Sequence, residues 1–475
     1  MAYNQPTPEV IEKFKEIVPG RVYTGADIKE DYGHDEMPVV SKQYMPAVVV
    51  EVTTTEEVSA ICKVCYENDI PFLARGAGTG LSGGCVATEG GVIIDMTKMN
   101  KILSYDLPNF VVRVQPGVLV NDLAEDAAAH GVAYPPEPGE KFATVGGNVS
   151  TNAGGMKAVK YGCTRDYVRA MTVVMPDGEI MHFGAEVAKL STGYSLTNLM
   201  IGSEGTLAII TELSMKVVPP MAKTASFLAL FPDPESCIEC ASKIRLAGLA
   251  PQSIEFMDRF TVTSIEKYMD KVVYPSEVDG EPIGAYLLVA FDTATEQEMD
   301  TIMENAAETF MDCGAMDVMV YDTPESIRTV WSVRANAMES ISANHPVSDE
   351  CDVVLPIPQM PAFIKYANDL GKEMHLGVRN CGHAGDGNVH VNTYPLSADI
   401  DLEKFMEDSD KYLEKVYAYA STLGGMMSGE HGIGYAKAPY LEQTLGEPVT
   451  NLMRRIKLAF DPKGLLNPGK VLPLK

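Results

Sequence analysis

Two short glycine-rich motifs near the C-terminus carry the residue types needed for metal-assisted chemistry. GHAGDGNVHVN, at residues 382–392, contains His383 and His390, and SGEHGIG, at residues 428–434, contains Glu430. Two histidines and one carboxylate hold a divalent metal while leaving coordination positions open for substrate. We therefore predict a metal site made of these three side chains. Fe²⁺, Zn²⁺, Mn²⁺ and Co²⁺ all accept this ligand set, and Fe²⁺ or Zn²⁺ is favoured.

A lone histidine in a loop is more often a hydrogen-bonded structural residue than a ligand. Here glycines surround every candidate, which indicates backbone crowded against a bound group. His431, directly after Glu430, is a natural proton acceptor because imidazole titrates near neutral pH. The combination of a metal set and an adjacent base favours an enzyme.

Another glycine-rich loop, RGAGTGLSGG at residues 75–84, satisfies G-x-G-x-x-G through Gly78, Gly80 and Gly83. A Rossmann site needs a helix to begin at the third glycine, whereas here CVATEGG leads into the strand-like VIID. This context argues against a nicotinamide dinucleotide site. We expect a strand, loop and strand that cradle a diphosphate through backbone N–H groups, and a structural turn is the alternative for this loop alone.

The stretch at residues 135–162 combines two glycine pairs with hydroxyl and amide side chains. These groups offer many donors to a ribityl-diphosphate chain. Two such loops in one domain indicate a large phosphate-bearing cofactor.

Taken in order, four segments resemble the FAD-linked oxidase family with its vanillyl-alcohol-oxidase type of FAD domain. They are RGAGTGLSGG, PPEPGEKFATVGGNVSTNAGG, GSEGTLAIITE and DPKGLLNPGKVLP, and the resemblance extends over nearly the whole chain. It implies an α+β protein with a two-subdomain FAD-binding domain at residues 1–218 and an α+β cap, or substrate, domain at residues 219–423. A C-terminal segment at residues 424–475 would return to the FAD domain and complete the active site.

The resemblance also implies non-covalent FAD, with diphosphate contacts from the backbone of the first loop. The residues expected to bind FAD are Arg75, Gly76, Ala77, Gly78, Thr79, Gly80, Leu81, Pro136, Thr144, Gly147, Asn148, Thr151, Gly154, Glu204, Gly205, Ile209, Ile210 and Asn467.

GHxGDGNxH and GEHG resemble the branch of this family that oxidises D-2-hydroxy acids. In that branch the matching residues bind a metal and the histidine after the glutamate, here His431, is the base. Such an oxidation removes the hydroxyl proton while the α-hydrogen leaves as hydride to flavin N5. A metal chelated by the hydroxyl and one carboxylate oxygen would acidify the alcohol and orient the α-carbon.

Two further residues are candidates for holding the substrate. Arg334, in VWSVRANAME, is expected to clamp the substrate carboxylate, because Trp331 lies three residues earlier and this WxxR pattern resembles the family's substrate-binding helix. A solvated helix arginine is the alternative. Asn392 is expected to orient the substrate or the metal-bound carboxylate.

One departure from the family bears on the substrate. Members that act on D-2-hydroxyglutarate have a lysine shortly before the aspartate and proline of a segment like SDECDVVLP, whereas here Asp349, Glu350 and Cys351 precede Asp352. We expect this acidic patch to repel a second carboxylate. A short monocarboxylate is therefore favoured, D-lactate first and glycolate second.

The motifs also resemble catalytic subunits that pass electrons to an electron-transfer flavoprotein, and we expect such an external acceptor because no iron–sulfur cysteine cluster is evident. Three enzyme alternatives stay open: a D-2-hydroxyglutarate dehydrogenase that uses another basic residue, a glycolate oxidase subunit, and a non-redox flavin-dependent alkyl transferase. A non-enzymatic electron-transfer subunit is a fourth. A homodimer and a hetero-complex are both compatible with the sequence.

Composition narrows the class of protein. The 475 residues include 38 Lys+Arg and 65 Asp+Glu, a net charge of −27, which disfavours binding to nucleic acid or anionic lipid. No transmembrane-length apolar run or signal peptide is recognisable, so we expect a cytoplasmic protein. Nine scattered cysteines favour reduced thiols, and Cys62/Cys65 and Cys237/Cys240 read as thiols on helix faces rather than metal ligands.

The elements that must position these motifs alternate between helix and strand. The pattern predicts a helix at 8–18, a strand at 47–52, a helix at 55–68 and a strand at 70–74. Residues 134–162 read as one long loop without regular structure. Pro219-Pro220 indicates a domain boundary, and beyond it a second α+β unit is expected.

Overall fold

The computed structural model describes residues 3–37, 43–345, 347–397 and 400–474. The chain divides into two compact units. The first comprises Met1–Gly154, Cys163–Pro219 and Glu430–Lys475, and the second comprises Gly155–Gly162 and Pro220–Gly429. The chain thus leaves the first unit at the proline pair, and it returns at Glu430, six residues after the position expected from the sequence.

The first unit begins with a four-stranded sheet in the order β1-β2-β4-β3. Its strands are β1 (Val22–Thr24), β2 (Val48–Glu51), β3 (Phe72–Arg75) and β4 (Val92–Asp95). β2 and β3 both run parallel to β4, and β1 pairs antiparallel at the edge. The helix Thr55–Glu67 connects β2 to β3, as the sequence predicts, and Thr54 caps it by accepting a hydrogen bond from the Glu57 N–H.

A five-stranded antiparallel sheet follows in the same unit, in the order β5-β6-β9-β7-β8. Its strands are β5 (Ile102–Asp106), β6 (Val111–Val114), β7 (Val168–Val174), β8 (Ile180–Gly184) and β9 (Ile209–Lys216). The helices of the first unit are Pro8–Ile17, Thr55–Glu67, Val120–Ala129, Val145–Thr151, Leu196–Met200, Leu441–Leu445 and Glu447–Phe460.

The stretch at residues 134–162 is not the uninterrupted loop that its glycines suggest. It contains the helices Val145–Thr151 and Ala158–Tyr161. Thr144 caps the first of them, its hydroxyl accepting a hydrogen bond from the Gly147 N–H. Gly146 is required for packing rather than for a turn, because a Cβ there would lie 2.4 Å from Cβ of Pro116. The low helix propensity of the glycines conceals this helix in the sequence.

The second unit is built on a seven-stranded antiparallel sheet in the order β15-β10-β14-β11-β17-β18-β16. The strands of this unit, including the separate hairpin β12-β13, are β10 (Lys223–Phe231), β11 (Ser253–Asp258), β12 (Glu277–Val278), β13 (Glu281–Pro282), β14 (Ala285–Thr293), β15 (Asp317–Tyr321), β16 (Asp349–Val354), β17 (Leu376–His383) and β18 (Asn388–Pro395). Its helices are Ala158–Tyr161, Pro234–Leu246, Arg259–Met269, Glu296–Asp312, Pro324–Ala335, Ala337–Asn344, Met360–Glu373 and Leu402–Thr422.

Both CxxC pairs lie where the sequence places them. Cys62 and Cys65 are buried in the helix Thr55–Glu67, and Cys237 and Cys240 are buried in Pro234–Leu246. Burial raises the pKa of each of these thiols, so all four are held as neutral apolar side chains.

No helix in the described part of the chain combines the length and the apolar character needed to cross a bilayer. The mixture of helices with largely antiparallel sheets confirms the α+β class expected from the sequence.

Candidate active site

The register of four neighbouring strands in the second unit gathers polar side chains on one face of the sheet. Glu255 of β11 pairs with His383 of β17, and Asp352 of β16 pairs with His390 of β18. Directly opposite residues share a face, as do alternate residues along a strand. We call the resulting group the site face; its residues are Glu255, Glu350, Asp352, Arg379, His383, His390 and Asn392.

A pair of buried histidines lies at the centre of the site face. His383 ends β17, His390 lies in β18, and their Nε2 atoms are 3.5 Å apart. The turn between them is tight: Gly387 has φ +88°, and a Cβ there would lie 2.0 Å from the carbonyl oxygen of Leu355. Glycine at this position therefore permits the close approach of the turn to the Leu355 carbonyl.

Buried carboxylates lie on the Nδ1 side of both imidazoles. Oε1 of Glu255 lies 2.7 Å from Nδ1 of His383, and Nδ1 of His390 lies 3.7 Å from an oxygen of both Glu350 and Asp352. A carboxylate beside Nδ1 favours the tautomer that carries its proton on Nδ1, which leaves the Nε2 lone pair available to a metal.

The donor geometry of the histidine pair fits a divalent metal. Two nitrogens bound to one tetrahedral ion at about 2.0–2.1 Å lie about 3.3 Å from each other. The two Nε2 atoms are separated by nearly this distance. The structure thus brings two of the three predicted ligands together within the second unit, whereas Glu430 belongs to the first.

Arg334 contacts the same buried carboxylate as His383. Its Nε donates to Oε2 of Glu255 at 2.7 Å. Burial would raise the pKa of Glu255, but His383 and Arg334 outweigh burial and hold this pKa below its ordinary value. The helix Pro324–Ala335 that carries Arg334 is anchored by Trp331, whose Nε1 donates to the Ser226 hydroxyl at 2.9 Å. Arg334 is therefore a packed, oriented side chain and not a solvated one.

Asn392 lies on the site face two residues beyond His390, opposite Glu350 on one side and Arg379 on the other. Its side chain is buried. The structure therefore places Asn392 in the same residue group as the histidine pair, as the sequence predicts, and its role stays a prediction.

The expected acidic patch in SDECDVVLP divides between the two faces of the sheet. Glu350 lies on the site face near His390, whereas Asp349 pairs with Thr393 on the opposite face, where its Oδ2 accepts a hydrogen bond from the Ser409 hydroxyl. Strand alternation sends neighbouring side chains to opposite faces, so these consecutive residues do not act together.

Glu430 and His431 begin the last segment of the first unit. The Ser82 hydroxyl donates to the main-chain oxygen of His431 at 3.1 Å. Both carboxylate oxygens of Glu204 accept backbone N–H bonds at 2.7 Å from the residues just beyond, Ile433 and Gly434. Burial raises the pKa of Glu204, and the two backbone donors oppose that shift. The backbone that carries the predicted base is therefore fixed on both sides.

The first glycine-rich loop runs from strand β3 to strand β4, without the helix that a Rossmann site requires. The predicted residues Gly76, Ala77, Thr79, Gly80 and Leu81 lie in this loop. Gly78 has φ +80°, and a side chain there would collide with the guanidinium of Arg75. Arg75 itself donates to the Asp31 carbonyl at 2.8 Å, which fixes its guanidinium next to Gly78.

The second loop presents several predicted cofactor residues around the helix Val145–Thr151. Thr144 is its cap, Gly147 and Asn148 lie in its first turn and Thr151 ends it. Nδ2 of Asn148 is buried and has no hydrogen-bond partner among the described residues. A buried amide donor of this kind is what an acceptor-rich cofactor would satisfy, so the loop fits FAD. Pro136, which precedes this helix in the sequence, and Gly154, which follows it, are both buried.

The last predicted cofactor residues join distant parts of the first unit. Nδ2 of Asn467 donates to the main-chain oxygens of Gly84 and Glu204, at 2.9 Å and 2.8 Å. Ile209 and Ile210 are buried in β9, close to Gly205 in sequence. These contacts fix the backbone around the proposed flavin loops.

Three residues that make important contacts in the structure were not predicted from the sequence. Glu255 and Arg379 are charged residues in otherwise apolar or mixed strands, and Ser82 was noted only as part of a glycine-rich motif. The signal for Glu255 was an acidic residue between two apolar ones, Ile254 and Phe256, in the strand SIEFMD. A charged residue in an apolar run is buried only when it is paired.

Comparison with known proteins identifies the family. Residues 46–184 match the family described as "FAD binding domain". Residues 221–471, more than half of the chain, match "FAD linked oxidases, C-terminal domain". The chain belongs to the FAD-linked oxidases. The family expected from the sequence, its FAD cofactor and its oxidoreductase class are therefore confirmed.

Relatives of this FAD-linked oxidase match it over its full length. A D-lactate dehydrogenase from Anaerostipes hadrus is 52% identical, covering 99% of this chain and 98% of the relative. A D-2-hydroxyglutarate dehydrogenase from Stutzerimonas stutzeri is 30% identical, covering 98% and 99%. Among solved structures, p-cresol methylhydroxylase with bound substrate shares the fold with a TM-score of 0.79 at 17% identity, covering 98% of this chain and 96% of that one. The vanillyl-alcohol-oxidase type of fold is confirmed.

Proposed function

We propose that this FAD-linked oxidase is a metal-dependent dehydrogenase that oxidises a short D-2-hydroxy acid, D-lactate to pyruvate in the first instance. The observation that carries the proposal is the buried pair His383 and His390, with Nε2 atoms 3.5 Å apart and a carboxylate beside each Nδ1. A flavoprotein that only relayed electrons would have no use for such a pair. The 52% identical relative bears the name D-lactate dehydrogenase, which supports the choice of substrate.

When bound, FAD supplies a hydride acceptor and a divalent metal supplies a Lewis acid for the substrate hydroxyl. His383, His390 and Glu430 would hold the metal. His431 would accept the hydroxyl proton, and the bond from Ser82 to its main-chain oxygen fixes the backbone from which it acts.

Arg334 and Asn392 would hold the substrate. Glu255 accepts the Nε–H of Arg334, which sets the plane of the guanidinium so that its terminal nitrogens can grip a carboxylate in a bidentate manner. Asn392 offers an amide donor and acceptor on the site face. This division of roles separates substrate binding from proton removal.

A monocarboxylate is favoured because Glu350 stays on the site face near His390. Its negative charge would repel a second carboxylate, even though Asp349 is removed from the site. For the electron acceptor we propose a protein such as an electron-transfer flavoprotein. The net charge of −27 leaves an acidic surface suited to a partner of complementary charge.

The decisive experiment is anaerobic stopped-flow reduction of the purified flavoprotein by a panel of 2-hydroxy acids, with metal analysis of the same sample. We expect D-lactate to bleach the flavin absorbance near 450 nm, a generic flavin property, faster than L-lactate, glycolate or D-2-hydroxyglutarate. An unbleached flavin with every acid would refute the proposal. Reduction followed by addition of an electron-transfer flavoprotein tests the acceptor separately.

A second candidate substrate is D-2-hydroxyglutarate, and Arg379 is the observation that favours it. This arginine is buried on the site face opposite Asn392, and within the described residues no carboxylate lies at ion-pair distance from it. Its terminal nitrogens bond the Ala337 carbonyl and the Ser340 hydroxyl. A distal carboxylate would need Arg379 to exchange these contacts, and the acid panel distinguishes the two substrates.

A further inference from the structure

Glu255 is the point at which the proposed metal ligand and the proposed substrate clamp meet. Its side chain is fully buried in β11, and each carboxylate oxygen has a different partner: Oε1 lies 2.7 Å from Nδ1 of His383, and Oε2 accepts from Nε of Arg334 at 2.7 Å. The two partners come from elements far apart in sequence, strand β17 and the helix Pro324–Ala335.

The strand that carries Glu255 is held on both edges. Glu255 pairs with Leu288 of β14 and with His383 of β17. The neighbouring side chain on the same face, Met257, is buried in the core. A carboxylate fixed in this way can orient both of its partners, since its own position is set by the sheet.

We propose that Glu255 is a positioning residue shared by the metal and the substrate carboxylate, which sets the tautomer of His383 and the guanidinium plane of Arg334 at once. The proposal goes beyond the function stated above because it couples metal binding and substrate binding, and it rests on that function for both the metal and the substrate carboxylate. Any change at Glu255 then alters metal affinity and substrate affinity together.

The chemistry of an amide shows why a carboxylate is needed. Glutamine offers one acceptor oxygen and one donor NH₂ group. If its oxygen faces Arg334, its NH₂ faces Nδ1 of His383, which must become the acceptor and move its proton to Nε2, where a metal would bind. If its oxygen faces His383, the NH₂ opposes the Arg334 Nε–H. No orientation of a glutamine side chain at this position can therefore bond both neighbours and also leave the Nε2 lone pair of His383 available to a metal.

A matched control lies in the same unit. Glu266 is also buried, and one of its two oxygens, Oε1, accepts both the Val273 and the Tyr274 N–H at 2.7 Å. Glutamine keeps that oxygen, so Glu266→Gln removes a buried charge without the conflict. Comparing the two variants therefore separates the effect of a buried amide from the effect of losing a carboxylate that bonds two different partners.

The test uses the full-length flavoprotein, stripped with chelator and titrated with Zn²⁺ by calorimetry, followed by steady-state kinetics with D-lactate at saturating metal. For Glu255→Gln we expect the Zn²⁺ dissociation constant to rise about 10- to 100-fold. We expect KM to rise about tenfold or more, in excess of the fall in kcat. Glu266→Gln should leave both constants within about twofold of the wild-type values.

If Glu255→Gln fails to retain flavin, Glu255→Asp decides the question by the same measurements. Aspartate keeps the charge but is one methylene shorter, so it cannot reach both partners. Wild-type values of both the Zn²⁺ dissociation constant and KM in either folded variant would overturn the proposal. If no 2-hydroxy acid reduces the wild-type flavin, the proposed function fails, and the Zn²⁺ titration alone then decides the role of Glu255.

Discussion

The hydroxyl of Ser82 donates to the main-chain oxygen of His431, 349 residues away in sequence, at 3.1 Å. It also contacts the carbonyl of Gly432 at 3.2 Å. Ser82 belongs to the first glycine-rich loop and His431 to the second of the histidine motifs. Two motifs that look independent in the sequence are thus parts of one hydrogen-bonded structure in the first unit.

This relationship leads to a prediction for His431. Its replacement by alanine removes the proposed base but leaves the main-chain bonds from Ser82 in place, so the backbone and flavin should be retained. We expect D-lactate to reduce the flavin about 10²- to 10⁴-fold more slowly, the usual contribution of a general base. Rapid-mixing absorbance measures this rate. His182→Ala, at an outward position on strand β8, is the control, and an unchanged rate in His431→Ala would exclude this residue as the base.

The histidine pair gives a prediction about metal content. His383→Ala or His390→Ala removes one of two converging Nε2 donors, so we expect the bound metal to fall well below one per chain while flavin content is unchanged. Elemental analysis beside flavin absorbance measures both. His375 is exposed with φ +57°, and His375→Asn suits that conformation and serves as control. Full metal content in both alanine variants would place the metal elsewhere.

Much of the fold follows from local sequence signals. The sequence predicts a helix at 55–68, and the structure forms it at Thr55–Glu67, where Thr54 caps the helix and Val58, Ile61 and Cys62 are buried on one face. The sequence predicts strand β4 because the apolar residues Val92, Ile93 and Ile94 directly follow a glycine pair. Such elements are encoded within a few residues of chain, where periodicity and capping are visible.

The parts of the fold and of the site that were not predicted depend on long-range pairing, which no local sequence pattern encodes. His383 and His390 were predicted together because they share a short motif. Glu255 was not predicted, because it lies 128 residues before His383 and reaches it only through the register of β11 with β17. The helix Val145–Thr151 was not predicted, because Gly146 lowers its helix propensity and is needed only for close packing against Pro116, which the local sequence does not reveal.

Arg334 gives a prediction about substrate affinity. Arg334→Lys keeps the positive charge but loses the planar fork and the Nε–H that Glu255 accepts. We expect KM for D-lactate to rise about 10- to 100-fold, the range for a hydrogen bond to a charged group, with a smaller fall in kcat. Arg328→Lys on the same helix is the control. Equal KM values in the two variants would exclude Arg334 as the residue that binds the substrate carboxylate.

Asp35, in the first unit, gives a prediction about pH and stability. Its side chain is buried; Oδ1 accepts the Met37 N–H at 3.1 Å, whereas Oδ2 has no hydrogen-bond partner among the described residues. Burial raises its pKa to about 6, against an opposing effect from backbone donors and Arg75. The folded protein therefore holds a proton that the unfolded chain releases near pH 4.

The sign of the effect follows from proton linkage. Between about pH 4 and pH 6 the folded state binds more protons than the unfolded state, so the contribution of Asp35 to stability falls as pH rises and stays low above pH 6. An asparagine side chain cannot ionise. Asp35→Asn should therefore stabilise the protein by roughly 2–3 kcal/mol at pH 8, a shift of several degrees in Tm, and by little at pH 4.5. Calorimetry of the holoprotein at both pH values measures this, beside the exposed Asp279→Asn. A stability gain that is the same at both pH values would show that Asp35 is not the titrating group.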